Sequence, residues 1–154
     1  MGERQCVVFR LEKEEYAIDI MNVKEIGPFN LTTKVPNAPS FVVGVVNYRG
    51  QVIPIIDLKK KFNLEETHSQ EEKRVIVIGF EDKQVGFVVD EASETIKFDD
   101  SEIEPPPEIV MDETRKYLTG VGKKTDRLII IIDLHHVLSE DEKKKVVSLD
   151  LEQN

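Results

Sequence analysis

Apolar residues recur along this chain in short runs of five to seven positions, separated by turn-forming or charged residues. The runs are rich in Val, Ile and Phe, and their length is typical of strands and short for helices. They span residues 6–11, 16–20, 41–46, 52–56, 74–80, 85–89 and 128–132. The pattern predicts an all-β protein made mainly of antiparallel sheet.

Tight turns and a few helical segments complete the predicted elements. Residues 48–51 and 81–84 each separate two apolar runs, and connections this short join antiparallel neighbours. Helical spacing of apolar residues is confined to residues 58–62 and to the stretch after Asp133. Residues 139–154 are highly charged, with acidic before basic residues, which is compatible with either a short C-terminal helix or a solvated tail.

The chain contains an internal repeat. When residues 44–58 are aligned with residues 120–134, seven of fifteen positions are identical. The identities extend beyond the apolar run to a leading Gly-Val and a closing Asp-Leu, which makes chance similarity between two Ile-rich strands the weaker explanation. We therefore predict a single domain over residues 1–154 with two similar lobes, whose repeat units lie around residues 41–62 and 117–138.

Charge and composition narrow the class of function. The chain has 21 basic and 30 acidic residues, a net charge of -9, so a nucleic-acid backbone would on average be repelled. No apolar run approaches the roughly eighteen residues of a membrane span, and no secretory signal pattern is present. The expected compartment is the cytoplasm, with no nucleic-acid partner and no direct membrane insertion. The lone cysteine, Cys6, excludes an internal disulfide and is predicted to be a strand residue.

One segment has some features of a nucleotide-binding loop. Gly122-Lys123 precedes a strand that ends in an aspartate, but a phosphate-cradling loop needs glycine where Tyr117 stands and Ser or Thr where Lys124 stands. A turn between strands explains the glycines without a ligand. Nucleotide hydrolysis is therefore not expected.

No other constellation of catalytic or metal-binding residues emerges. His135 and His136 are adjacent, so on a helix they would point about 100° apart, and His68 lies in a polar segment. The acidic pairs, such as Glu14-Glu15 and Glu65-Glu66, fall at strand edges and in loops, where ordinary solvated charges are expected. We predict a protein that is not an enzyme and needs no cofactor or metal.

The turn at residues 47–50 has an unusual composition. Asn47-Tyr48-Arg49-Gly50 places a guanidinium at the tip of a hairpin, beside an amide and an aromatic ring. Arginine is frequent among binding hot spots, and rigid presentation lowers the entropy cost of using it. From the residues alone, a binding turn and a merely favourable turn sequence are equally good interpretations.

Residues 41–58 closely resemble the signature of the CheW-like domain family. The resemblance lies in Gly-x-x-Asn-x-Arg-Gly from Gly44 to Gly50 and in Ile-Pro-x-x-Asp-Leu from Ile53 to Leu58. Further blocks agree in the family's order, and the likeness covers nearly the whole chain. These blocks span residues 85–90, 104–107, 117–121 and 126–128.

The resemblance implies a fold and a role. The implied fold is two linked SH3-like five-stranded antiparallel barrels. The implied role is a non-enzymatic adaptor that couples the cytoplasmic tip of methyl-accepting chemotaxis receptors to the regulatory domain of the histidine kinase CheA, in receptor arrays beneath the inner membrane. Carried over from the family motif, the coupling residues are Asn47, Arg49 and Gly50, with the preceding Gly44. The segment around residues 22–26 matches less distinctively and adds Val23, Glu25 and Ile26.

Two alternatives stay open at this point. A generic SH3-like module for peptides would need a cluster of exposed aromatic residues, and the chain has no Trp, three Tyr and seven Phe, mostly inside apolar runs. The chain could also be the CheW-like domain of a protein of the CheA or CheV type. The short stretch after the last Asp-Leu favours the free-standing form.

Overall fold

The computed structural model describes residues 2–30, 32–66, 72–80 and 82–152, and it consists mainly of strands. The strands are β1 (Glu3–Leu11), β2 (Glu14–Asp19), β3 (Val23–Pro28), β4 (Val42–Tyr48), β5 (Gln51–Asp57), β6 (Arg74–Phe80), β7 (Lys83–Val89), β8 (Glu91–Asp99), β9 (Ile103–Glu104), β10 (Leu118–Lys124) and β11 (Arg127–Ile132). The α-helices are α1 (Leu58–Lys61), α2 (Asp112–Arg115) and α3 (Glu140–Glu152).

The strands form two sheets, one for each lobe. Lobe I is the six-stranded sheet of order β8-β1-β2-β11-β10-β9, and lobe II is the five-stranded sheet of order β3-β6-β7-β5-β4. Neighbouring strands are antiparallel except for one parallel pair in each lobe, β2 with β11 and β5 with β7. The predicted fold class is confirmed, with a parallel pair in each sheet and a short sixth strand as additions.

The two lobes share one strand order. Across the sheets, β8-β1-β2-β11-β10 of lobe I corresponds to β3-β6-β7-β5-β4 of lobe II, and the parallel pair falls at the same step. Lobe II uses consecutive strands, whereas lobe I takes β1 and β2 from the start of the chain and its other strands from the second half. The N-terminal hairpin therefore completes the lobe that contains the C-terminal strands.

The sequence repeat occupies equivalent places in this arrangement. A bulge occurs early in β4 and again early in β10. At the end of the following strand, the Asp57 N–H donates to the Phe41 carbonyl at 2.8 Å, and the Asp133 N–H donates to the Tyr117 carbonyl at 2.7 Å. Each aspartate side chain then caps the short helical turn that follows. The shared Asp-Leu thus marks the same strand exit in both lobes.

Both faces of the central strands are buried, because the lobes pack against each other. In β1, Cys6 and Val8 face the interior of lobe I, whereas Val7, Phe9 and Leu11 join a cluster between the lobes. This interlobe cluster contains eighteen buried residues, against six in the core of lobe I and five in that of lobe II. Since each fully buried apolar side chain contributes about 1.5–3 kcal/mol, the largest apolar contribution belongs to the contact between the lobes.

The helices agree with the sequence in two of three cases. Helix α1 lies where helical spacing was predicted, and the C-terminal stretch is the helix α3. A capping box begins α3: the Ser139 hydroxyl accepts the Glu142 N–H, and the Glu142 carboxylate accepts the Ser139 N–H. The Glu142 carboxylate also pairs with the Lys61 ammonium at 2.9 Å. Helix α2 was not predicted, and no described helix is long and apolar enough to cross a membrane.

Some predictions fall outside the described residues. His68 and Glu81 are among the positions whose structure is not described. The prediction that His68 lies in a polar segment and the predicted start of the turn at residues 81–84 therefore lie outside the described residues. The strands on either side of that turn, β6 and β7, do pair antiparallel as expected.

Candidate functional site

The β4–β5 hairpin ends in a tight turn with an unusual backbone. Arg49 and Gly50 both have positive φ, 52° and 84°, which is the signature of a type I′ turn. The Asn47 side chain accepts a hydrogen bond from the Gly50 N–H at 3.1 Å and so holds the turn. Glycine adopts this backbone at no cost, whereas an arginine at the first central position is disfavoured. Arg49 thus adopts a backbone conformation that its residue type disfavours.

The Arg49 side chain is held in a defined position on the surface. Its guanidinium lies 2.8 Å from the Glu25 carboxylate and 5.2 Å from the centre of the Tyr48 ring. The side chain is nevertheless 77 % exposed. An exposed ion pair contributes about 0–1 kcal/mol, so Glu25 orients the guanidinium without removing it from the solvent.

A cleft lies beside this turn, at the seam where the edge strands of lobe II approach each other. It has a volume of about 260 Å³ and is bounded by β3 on one side and β4 on the other. Its floor is apolar and includes Ile53, Ile55 and Val77 of the lobe II core. The Tyr48 hydroxyl is buried there, and no described residue hydrogen-bonds with it. The turn therefore lies beside an apolar recess that is also lined by Glu25, the ion-pair partner of Arg49.

The other residues singled out from the sequence are not all at this turn. Glu25 lies at the turn, where it pairs with Arg49. Val23 and Ile26 pack on the interlobe cluster instead, because a bulge in β3 between Val23 and Glu25 changes which side chains point to each face of the strand. Gly44 is buried near the opposite end of β4. Its φ is +154°, and an added Cβ would lie 2.4 Å from the Thr33 carbonyl oxygen. Gly44 therefore shapes the edge of lobe II, and its part in coupling stays a prediction.

A second exposed apolar feature, missed by the sequence analysis, lies in lobe I between β9 and β10. Ile109 and Met111 are 90 % and 74 % exposed. The loop that carries them is ordered, because the Arg115 guanidinium donates to the carbonyls of Pro107 at 2.6 Å and Val110 at 3.0 Å. The signal available in the sequence was an apolar Ile-Val-Met stretch that follows three prolines and one glutamate in an otherwise charged segment.

A buried ionic cluster joins elements of both lobes. The Lys59 ammonium is only 2 % exposed and contacts Glu12, Glu66 at 2.7 Å and Asp90 at 2.9 Å. Burial opposes its charge, but the bonds to the three carboxylates outweigh that effect and raise the pKa of Lys59. Glu66 also binds the buried Lys73. Glu66 was predicted to be an ordinary solvated charge; its side chain is 43% exposed, but two ammonium groups, which the sequence did not indicate, lie against it.

The prediction of an ordinary solvated charge is wrong for Glu15, which lies in lobe I. Its carboxylate is only 13 % exposed and accepts bonds from the Arg127 guanidinium at 2.6 and 3.0 Å. Bonding to Arg127 lowers the pKa of Glu15 more than partial burial raises it. Arg127 also reaches Glu94 at 2.7 Å, so the outer face of lobe I is crosslinked by charge across three strands.

The residues considered for chemistry have structural partners. Lys123 pairs with Glu104 at 2.5 Å and Lys124 with Glu102 at 2.8 Å, in a hairpin rather than a phosphate loop. His136 bonds the Asp133 carboxylate at 2.8 Å. Three carboxylates, of Glu12, Glu66 and Asp90, have oxygens within 4.8 Å of one another, but the Lys59 ammonium lies among them.

The histidines and Cys6 occupy ordinary positions as well. His135 bonds the Gly79 carbonyl at 2.7 Å, which ties the end of lobe I to β6 of lobe II. Cys6 is a buried β1 residue, as predicted, and burial together with the nearby Asp19 raises the pKa of its thiol to about 11. A thiol that stays protonated at neutral pH is a poor nucleophile.

Comparison with known proteins agrees with this geometry. The family model described as the CheW-like domain matches residues 5–142. The chain is 39% identical over 146 residues to the "Chemotaxis protein CheW" of Bacillus subtilis, covering 95% of this chain and 93% of that protein. It is 38% identical over 139 residues to the protein of the same name from Klebsiella aerogenes, covering 90% of this chain and 84% of that one.

A solved structure shows the same fold. The crystal structure of the scaffolding protein TtCheW from Thermoanaerobacter tengcongensis superposes with a TM-score of 0.82 at 35% identity, covering 92% of this chain and 96% of that one. Sequence motifs, lobe topology and these comparisons lead to one conclusion: this chain belongs to the CheW-like domain family.

Proposed function

We propose that this protein is a non-enzymatic adaptor that couples methyl-accepting chemotaxis receptors to the histidine kinase CheA. Membership of the CheW-like domain family supports the role, as do relatives named as chemotaxis proteins and a structural neighbour named as a scaffolding protein. The cytoplasmic face of receptor arrays is the location that this role requires. An adaptor works by holding partners together, so surfaces rather than catalytic groups carry its function.

The observation that carries the proposal is the conformation of Arg49. The residue has positive φ in a turn that glycine or asparagine would form more easily, and its side chain is largely exposed and oriented by Glu25. A costly backbone that presents an oriented guanidinium is a device for binding. Asn47 and Gly50 contribute by holding the turn, and we assign this surface to the receptor tip.

A second surface supplies the other contact that an adaptor needs. Ile109 and Met111 are exposed on a loop that Arg115 braces, and their exposure offers apolar area to a partner. This loop belongs to lobe I, whereas the Arg49 turn belongs to lobe II. We assign the loop to the regulatory domain of CheA, so that the two partners meet opposite lobes.

The experiment is a binding assay with the Arg49→Glu variant. A receptor cytoplasmic hairpin and the CheA regulatory domain are offered separately and together to the immobilised protein. The variant should lose receptor binding and kinase activation while keeping its CheA contact, because the charge of the binding turn is reversed on an exposed side chain that the fold does not need.

Thr125→Glu is the matched control. Thr125 occupies the corresponding turn in lobe I, also with positive φ, at 48°. The Thr125→Glu variant should bind the receptor hairpin as the unaltered protein does. Full receptor binding and kinase activation by Arg49→Glu would overturn the assignment of the turn, and failure of the unaltered protein to bind either partner would overturn the adaptor role itself.

A further inference from the structure

The ionic cluster around Lys59 lies where the chain passes from one lobe to the other. Asp90, which is 3% exposed, separates β7 of lobe II from β8 of lobe I. One of its carboxylate oxygens accepts the Glu12 N–H at 2.7 Å, and the other lies 2.9 Å from the Lys59 ammonium. Asp90 therefore touches the β1–β2 turn of lobe I and helix α1 of lobe II at the same time.

The remaining members extend this connection on both sides. The Asp90 N–H donates to the Arg10 carbonyl of β1 at 3.0 Å. Glu12 reaches across from lobe I to Lys59, and Glu66 joins Lys59 to Lys73, which directly precedes β6. Four separate segments of the chain thus meet at one buried ammonium group.

Such a cluster is better suited to setting geometry than to adding stability. Apolar packing between the lobes is extensive, but the hydrophobic driving force behind it is non-directional, so polar contacts add a directional constraint that it lacks. Ion pairs with little exposure are directional, and their gain is largely offset by the cost of removing the charges from water. A buried ammonium bonded to Glu12 on the lobe I side and to Asp90 at the crossing between the lobes therefore favours one relative position of the segments that carry them.

We propose that the cluster of Glu12, Lys59, Glu66, Lys73 and Asp90 is an interlobe lock that fixes the orientation of lobe I relative to lobe II, with the Lys59 ammonium as its internal counter-ion. The lock has a consequence for coupling that rests on the proposed function. The Arg49 turn is in lobe II and the Ile109 loop in lobe I, so the lock holds the two proposed surfaces at a constant angle.

The test measures the distance between the lobes in the absence of any partner. Spin labels are attached to cysteines introduced at the exposed positions Lys97 in lobe I and Asp82 in lobe II, and their separation is measured by double electron–electron resonance. The native thiol of Cys6 is buried and stays in place. The unaltered protein should give a single narrow distance distribution. Lys59→Met should broaden or shift it, and Lys59→Arg should retain most of the narrow component.

Lys123→Met is the matched control. It also removes a lysine from an ion pair, but Lys123 and Glu104 are about half exposed and both lie in lobe I. Its distance distribution should not change. A narrow, unshifted distribution in Lys59→Met would overturn the proposal, and so would equal broadening in the two variants.

If Lys59→Met does not fold, the Glu12→Gln variant is measured in its place. This substitution removes the charge of Glu12 from the ion pair with Lys59 and keeps the shape of the side chain. An unshifted distribution in Glu12→Gln would then count against the lock. These distances involve neither receptor nor kinase, so the lock and the adaptor role can fail independently. If both hold, Lys59→Met should bind each partner alone almost normally and form less of the complex that contains both.

Discussion

The two lobes share a strand order, a bulge and an Asp-Leu strand exit, yet they differ where β8 approaches β10 in lobe I and where β3 approaches β4 in lobe II. In lobe I, Phe98 of β8 is fully buried and packs so closely under Gly122 of β10 that an added Cβ would lie 2.4 Å from its ring. The position in lobe II that aligns with Gly122 is Val46, which lines the open cleft beside the Arg49 turn. One seam is filled by the protein's own side chain, and the other is left open.

The hairpin tips differ in the same sense. In lobe I, Lys123 and Lys124 pair with glutamates of the neighbouring segment, and only Thr125 of the turn has positive φ. In lobe II the corresponding turn carries Arg49 and Gly50, both with positive φ, and Arg49 stays 77% exposed although it pairs with Glu25. Binding is therefore proposed where the two copies of the repeat differ, because the packing that they share maintains both lobes and only the difference needs another explanation.

The largest expected effect comes from opening the filled seam. Phe98→Ala should lower the free energy of unfolding by about 3–5 kcal/mol, because it removes a buried ring and leaves a cavity. Urea denaturation followed by circular dichroism measures the change. Phe29→Ala in lobe II is the counterpart, and it should cost clearly less since Phe29 is only partly buried at the open cleft. Equal losses would show that the seams do not differ.

The next effect compares the two bulge glycines. Gly44→Ala should cost about 2 kcal/mol, since its φ of +154° is unfavourable for alanine and the new Cβ would lie 2.4 Å from the Thr33 carbonyl oxygen. Gly120→Ala should cost less, because the nearest atom is the Glu104 carbonyl oxygen at 3.0 Å. Thermal and urea unfolding of the two variants provide the measurement. A larger loss of unfolding free energy in Gly120→Ala than in Gly44→Ala would contradict the closer packing around Gly44.

The smallest effect concerns the two aspartate caps. Asp133→Ala should cost about 1 kcal/mol near neutral pH, as loss of a helix cap does, and Asp57→Ala should cost a similar amount in lobe II. Partial burial raises the pKa of Asp133, but bonds from His136 and the His135 N–H outweigh it, so the pKa lies below its ordinary 3.8.

The direction of the pH dependence follows from that lowered pKa. A carboxyl group whose pKa falls on folding stabilises the protein above its unfolded pKa, and the contribution is lost as the pH falls through the folded value. The difference between Asp133→Ala and the unaltered protein should therefore shrink at pH well below 3.8. Unfolding curves across the acid range test this, and a difference that stays constant with pH would contradict the cap as its cause.

Much of the fold was predictable because its signals are local. The Val and Ile runs predicted strands, the tight turn at Arg49 predicted a hairpin, and the repeated Asp-Leu predicted matching strand exits. The division of the strands between the lobes was not predictable, because β1 and β2 join β11 through a parallel pair that no local signal announces. The exposed apolar loop was also missed, since a sequence does not say which apolar residues remain in solvent.

The candidate site divides in the same way. The sequence by itself determined the Arg49 turn, because Asn47 and Gly50 supply the side chain and the backbone freedom that this turn requires within four residues. Only the tertiary structure decided that Glu25 faces Arg49 whereas Val23 and Ile26 do not, because a bulge in β3 reverses the side-chain alternation. The tertiary structure alone also brought Glu12 and Asp90 to the buried Lys59 charge, since both are far from Lys59 in sequence and meet it only once both lobes have folded.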